Sequence, residues 1–140
     1  MSNAVLGYDN QIDRASLSGG DWLFGLPLTN LQDRQIGKVA RSNGLAPSQT
    51  LFTMDIGTEE LVRIISLVGH NLSLDATFRI RGAPDTTFAA PDYDSGWQDV
   101  WPPAYPVGSL DWEASNYWSG RYRSREIEDY TWTLVHILMY

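Results

Sequence analysis

Leu51-Phe52-Thr53-Met54-Asp55-Ile56-Gly57, followed a few residues on by Leu61-Val62-Arg63-Ile64-Ile65-Ser66-Leu67-Val68-Gly69-His70-Asn71, is the stretch that decides the fold. Between Thr50 and Ile56 the apolar residues recur at spacing two. Phe52, Met54 and Ile56 share one face and Thr53 and Asp55 the other, the pattern of a half-buried strand. Gly57 ends it. From Leu61 to Val68 both faces are largely apolar, Val62, Ile64 and Val68 against Ile65 and Leu67, which predicts a central strand covered on both sides. Gly69-His70-Asn71 then supplies turn chemistry.

Outward from this pair the same period continues. Thr77 to Arg81 alternates, with Phe78 and Ile80 expected inward and Thr77, Arg79 and Arg81 outward, until Gly82-Ala83-Pro84 stops it. On the other side, Ile36 to Arg41 reads as a short edge strand and Trp22 to Leu26 as an extended segment closed by Pro27. Tyr130 to Tyr140 is rich in β-branched and aromatic residues and fits a long strand better than a helix. Its last residues, Val135, Ile137, Leu138 and Met139, are apolar on both faces. They need cover from the same domain, from a partner or from further downstream sequence; the last two are favoured, and in the last case the domain is the N-terminal part of a longer assembly protein. The expected fold is therefore all-β: one antiparallel β-sandwich of jelly-roll type spanning residues 1–140.

The whole chain fits this reading. Its 140 residues suit one domain, and 43% hydrophobic residues with 19% charged residues are the composition of a folded globular protein. Ten Lys plus Arg against 17 Asp plus Glu give a formal charge of −7, a sign that opposes binding to nucleic acid or to an anionic membrane surface. Cysteine is absent, which removes disulfides, thiolate metal sites and cysteine nucleophiles together. The longest apolar runs fall far short of the ~20 residues of a spanning helix, so no membrane span is expected, and the N-terminus shows no secretory signal pattern.

Chemistry-bearing residues gather late in the chain. Seven of the 26 residues from Trp97 to Tyr122 are aromatic (Trp97, Trp101, Tyr105, Trp112, Tyr117, Trp118 and Tyr122), against 12% for the whole chain. Pro102, Pro103 and Pro106 stiffen the same region and lower the entropy lost on docking. Such a loop serves three ends: packing of the domain itself, anchoring of a protein interface, or stacking of sugar rings. In the last case Trp101, Trp112 and Trp118 are the stacking candidates, with Asp99, Asp111, Glu113 and Asn116 bonding to hydroxyls. Arg121, Arg123 and Arg125 alternate and would line one face of a strand, as a solvated edge or as an intersubunit ion-pair strip.

Catalytic patterns find no such support. Asp85, Asp92, Asp94 and Asp99 are read as solvated turn residues, because their spacing lacks the closing glutamate of a calcium loop. His70 and His136 are far apart and lack a zinc-ligand pattern. No nucleophile elbow, phosphate loop or dinucleotide fingerprint occurs. The expectation is a non-enzymatic chain with no catalytic residue, no metal and no cofactor.

Two resemblances sharpen the reading. The order of Leu51–Gly57, Val62–Asn71, Phe78-Arg79-Ile80-Arg81 and Asp94-Ser95-Gly96-Trp97 resembles the discoidin or galactose-binding-like jelly roll. The likeness covers roughly Gln35 to Trp97 and departs from the family at Phe52, where a tryptophan is frequent. Pro27-Leu28-Thr29-Asn30-Leu31, Gly69-His70-Asn71-Leu72-Ser73 and Tyr93-Asp94-Ser95-Gly96-Trp97 are similar to the N-terminal domain of tail-associated virion proteins of tailed bacteriophages. That likeness implies a structural protein made in the host cytoplasm and placed in the virion tail, at the tail tip or baseplate. Its partners would be other tail proteins and further copies of itself. The alternative is a carbohydrate-binding module for host surface glycans.

Overall fold

The computed structural model describes residues 8–35, 37–123, 126 and, as backbone, 132–137. The chain divides into two compact units, Met1–Val62 and Arg63–Tyr140. The boundary falls inside the run predicted as one strand, Leu61 to Val68, and the strand itself starts at Ile64.

In the first unit, β1 (Ser16–Ser18) pairs antiparallel with β2 (Thr53–Asp55), Leu17 opposite Met54. The strand predicted at Thr50 to Ile56 is thus present but shorter. Thr50 closes a single helical turn, α1 (Pro47–Thr50), because Pro47 presets the first helical position and Ala46 O accepts the amides of Gln49 and Thr50 at 2.8 and 3.1 Å. Gly57 ends the strand as expected: with φ of 76°, it donates its N–H to Asp55 Oδ1 at 2.8 Å. Two 3₁₀ turns, Gln11–Arg14 and Leu28–Gln32, are tied by Gln32 Nε2, which donates to Ile12 O and Ala15 O at 2.8 and 2.7 Å. Ala15 and Leu28 are this unit's buried apolar residues among those described.

Two early expectations are corrected. Trp22 bridges to Ser42, but the chain then turns, Leu26 N–H bonding to Leu23 O at 2.9 Å, so Trp22 to Leu26 is not an extended segment. Residues 37–41 form no strand. Lys38 N–H closes a turn on Gln35 O, Asn30 Nδ2 takes Val39 O, and Lys38 Nζ sits 2.5 Å from Asp33 Oδ2. The Asn30 side chain takes the Val39 carbonyl from any ladder, and Arg41 bonds by main chain to Leu26 O and Leu23 N–H at 3.0 and 2.9 Å without forming a strand.

A clasp joins residues 19–22 to 42–50. Asp21 N–H bonds to Gln49 O and Asn43 N–H to Asp21 O, both at 2.9 Å, while Asn43 Nδ2 donates to Asp21 Oδ1 at 2.6 Å. Gly20 lies at its centre with φ of 73°.

In the second unit, β3 (Ile64–His70) pairs antiparallel with β8 (Trp132–Ile137), from Ile64 opposite Ile137 to Val68 opposite Thr133. The long strand predicted at Tyr130 to Tyr140 is found at 132–137, its remainder lying outside the described residues. A bulge at Gly69, φ 68°, shifts the register so that His70 faces Trp132. Among the described residues β3 has one strand neighbour and Val68 is 66% exposed, which corrects the expectation of a central strand covered on both sides. An apolar run records what a strand could bury, and its neighbours decide what it does bury.

The strand predicted at Thr77 to Arg81 splits into β4 (Thr77–Phe78) and β5 (Arg81–Gly82), which pair with β7 (Gln98–Asp99) and β6 (Tyr93–Asp94) respectively. Its alternation holds: Phe78 and Ile80 are half-buried, Thr77, Arg79 and Arg81 exposed. Between the two pieces Ser95 replaces a ladder partner, its Oγ accepting Ile80 N–H at 2.8 Å and its own N–H bonding to Ile80 O at 3.0 Å. Arg79 grips Asp94 in a fork, and Asp94 also accepts Gly96 N–H at 2.9 Å. The Arg79 guanidinium and that amide hold the Asp94 carboxyl far below the usual carboxylate range.

The described strands thus form four two-stranded antiparallel sheets, a β-rich fold with little helix. No helix among the described residues is long and apolar enough to cross a membrane.

Gly20 tests the clasp. A Cβ there would stand 2.8 Å from Leu51 O and 2.9 Å from Gln49 O, against the Trp22 indole, on a left-handed backbone. Gly20→Ala should destabilise the protein by about 1–3 kcal/mol or more, whereas Gly25→Ala, with nothing within 4 Å, should be neutral or slightly stabilising in a denaturant titration.

Candidate functional site

From Val100 to Arg123 the chain runs through tight turns in place of strands. Ser109 N–H bonds to Pro106 O, Ala114 N–H to Asp111 O, Tyr117 N–H to Ala114 O and Gly120 N–H to Asn116 O. The two ends of the loop meet at Gly120 O, which accepts both Ala104 and Tyr105 N–H at 2.7 and 2.9 Å. Only glycine fits there, since φ is 60° and a Cβ would lie 3.0 Å from Tyr105 O.

This scaffold sorts the seven aromatic candidates into two groups. Trp101 is 5% exposed and its Nε1 donates to Leu72 O at 3.0 Å. Its ring meets His70 edge-on at 5.5 Å and Tyr122 at 6.1 Å, and Tyr122 meets Tyr105 at 5.8 Å. These residues pack the unit's interior, alongside buried Val100. Trp97, Trp112 and Trp118 instead stand in solvent at 64%, 76% and 93% exposure, with half-buried Tyr117 edge-on to Trp118 at 5.0 Å. Trp101 accordingly presents no face for sugar stacking, which corrects its place beside Trp112 and Trp118.

Asn116 changes role as well. It is 5% exposed, its Nδ2 donates to Arg121 O at 2.7 Å, and its Oδ1 accepts Arg123 Nε at 3.3 Å, so its amide is spent on the loop and not held out for a hydroxyl. The arginines correct a second expectation. Residues 121–123 are not a strand, and their guanidinium groups turn to separate tasks. Arg121 Nη2 pairs with Asp99 Oδ2 at 2.5 Å while its Nη1 donates to Leu74 O at 3.3 Å and lies 3.9 Å from Asp75. Arg123 holds Asn116 through Nε, and Glu126 Oε2 accepts its N–H at 2.6 Å. Arg125 lies outside the described residues.

Gly82 to Gly120 contains six carboxylates and no Lys or Arg. Three are spent locally: Asp94 on Arg79, Asp99 on Arg121, and Asp85 on its own turn through Thr87 and Phe88 N–H. Asp92, Asp111 and Glu113 are exposed and have no ion pair among the described residues. The aspartates do not gather with other ligands into a metal-holding group among those residues.

Two shifted groups report the packing. Burial lowers the His70 pKa, and Leu72 N–H reaches its Nδ1 through a long hydrogen bond of 3.4 Å, which places the ring proton on Nε2. Tyr105 is raised, first by desolvation and then by the charge of Glu126, whose Oε1 accepts its hydroxyl proton at 3.2 Å. The loop's main acceptors, the Leu72, Leu74 and Arg121 carbonyls, are main-chain atoms without a sequence signature. In the first unit, a shallow recess between Asp13, Thr29, Gln32, Asp33 and Arg34 is crossed by the Arg34–Asp13 ion pair at 2.5 Å.

No family model, curated protein or solved structure matches the chain. The site is therefore read from its own geometry.

Asn116→Ala leaves the half-buried Arg121 carbonyl without its side-chain partner and empties a buried position, and should cost about 1–3 kcal/mol. Trp118→Ala, at a solvent-facing position, should stay within about 0.5 kcal/mol by the same denaturant titration. His70 gives a pH test. Its folded pKa lies below the ordinary 6.5, so both states are neutral above that value and the contribution is complete. As pH falls through it, the unfolded chain takes the proton first and stability declines. Melting temperature against pH should show an acid-side loss that His70→Gln reduces.

Proposed function

We propose that the chain is a non-enzymatic structural protein of a bacteriophage tail, at the tail tip or baseplate, acting as an assembly or attachment module. Within that proposal the small antiparallel sheets belong to a galactose-binding-like jelly-roll sandwich. The observation that carries the reading is the exposure of Trp112 and Trp118 on a loop fixed by prolines, Gly120 and Asn116, and of Trp97 in the turn between β6 and β7 just before it. An indole covers about 150–250 Å² and gains about 25 cal/mol per Å² on leaving water, so each is a strong anchor once a neighbour covers it. Rigid presentation keeps the entropy lost on docking small.

Among the described residues His70 packs on Trp101, and Asp94 is locked to Arg79. This supports assembly over turnover. The likeness of Pro27–Leu31, Gly69–Ser73 and Tyr93–Trp97 to tail-associated virion proteins supplies the setting.

The test is made in the particle. The chain should co-sediment with assembled tails, and a variant with Trp97, Trp112 and Trp118 all changed to Ser should keep its melting temperature yet drop out of that fraction. Normal assembly of the folded variant, or all three indoles standing in solvent within the native particle, would overturn the proposal. A second reading, glycan binding, is favoured by one observation: Trp112 lies between the exposed carboxylates of Asp111 and Glu113, a stacking face flanked by hydroxyl acceptors. Selective binding on a glycan array, lost in Trp112→Ala, would establish it, and a blank array would remove it.

A further inference from the structure

We infer that Asn43 is a site of spontaneous deamidation, and that its conversion opens the clasp between residues 19–22 and 42–50. Of the six asparagines, Asn43 alone is followed by glycine. It is exposed, and the Gly44 N–H makes no hydrogen bond among the described residues. Gly44 has no Cβ to shield its nitrogen, and a Cβ there would run into the Gln49 side-chain amide.

The chemistry needs water alone. The Gly44 nitrogen attacks Asn43 Cγ and loses its proton as the new C–N bond forms; the side-chain nitrogen leaves as ammonia, closing a succinimide. Water then opens the ring at either carbonyl, giving aspartate or isoaspartate. Isoaspartate, its free carboxylate on Cα, loses the donor that Asn43 Nδ2 gives to Asp21 Oδ1 at 2.6 Å, and aspartate puts a carboxylate in that donor's place. Two like charges then face each other in place of a hydrogen bond. Isoaspartate also adds a methylene to the main chain beside the Trp22–Ser42 bridge and the bond from Asn43 N–H to Asp21 O, so their spacing is lost.

The experiment incubates the full chain, warm and at mildly alkaline pH, beside an unstructured peptide of residues 40–47, and follows both by peptide mass spectrometry that separates the two isomers. Asn43 should lose its amide before Asn10, Asn30 and Asn71, with isoaspartate present, and Gly44→Ala should slow the loss. If the chain's Asn43 is intact when the peptide has converted, or another asparagine converts first, the site is refuted. In converted protein, hydrogen exchange at the Asp21, Leu23 and Asn43 amides should rise, as it should in Asn43→Asp. Exchange that stays at the starting level after conversion overturns the opening of the clasp.

Discussion

Main-chain carbonyls and amides in irregular segments need partners, and in this protein side chains supply several that the main-chain turn bonds leave over. Gln32 bonds to the carbonyls of Ile12 and Ala15, Asn116 to that of Arg121, Trp101 to that of Leu72 and Arg121 to that of Leu74. Ser95 takes the amide of Ile80 between two short strands. Among the described residues the buried apolar side chains are few, Ala15, Leu28, Val100 and Trp101, so these polar contacts set where each turn lies. Such a contact gains little when made and costs more when one partner is removed, because the orphaned group stays away from water. The loops are therefore specified more strongly than their modest apolar burial suggests.

That division of labour explains what the sequence made legible. Period-two patterning identified the residues of β2 and the inward and outward sides of Thr77 to Arg81, while an apolar run marked β3 and β-branched and aromatic residues marked β8, since all of these depend on side-chain type alone. Pairing partners were not legible. β4 and β5 are consecutive in one alternating run yet join different strands because Ser95 interrupts the ladder at Ile80, and nothing in Arg79-Ile80 announces that break. Likewise the run read as an edge strand is drawn into turns at 37–41, where Asn30 holds the Val39 carbonyl and Asp33 holds Lys38.

The aromatic region shows the same limit at the level of the site. Composition located the loop, and the prolines announced its stiffness. Which rings face water follows from contacts made at long range: Trp101 is drawn inward by Leu72 O and the His70 ring, about thirty residues away in sequence, while Trp97, Trp112 and Trp118 have no comparable hold. The arginine alternation at 121 and 123 was equally legible and equally silent about Asp99 and Asn116, the groups that claim those side chains.

The sorting of the indoles has an optical consequence. A chromophore at Trp101 is shielded from the dipoles of water, whereas those at Trp97, Trp112 and Trp118 relax among them and emit at longer wavelength. These four indoles of the second unit thus carry a pair of colours: covering the outer set shifts their emission to the blue and protects them from soluble quenchers, while loosening of the inner ring moves its emission the opposite way. Docking and unfolding can in this way be told apart without a label.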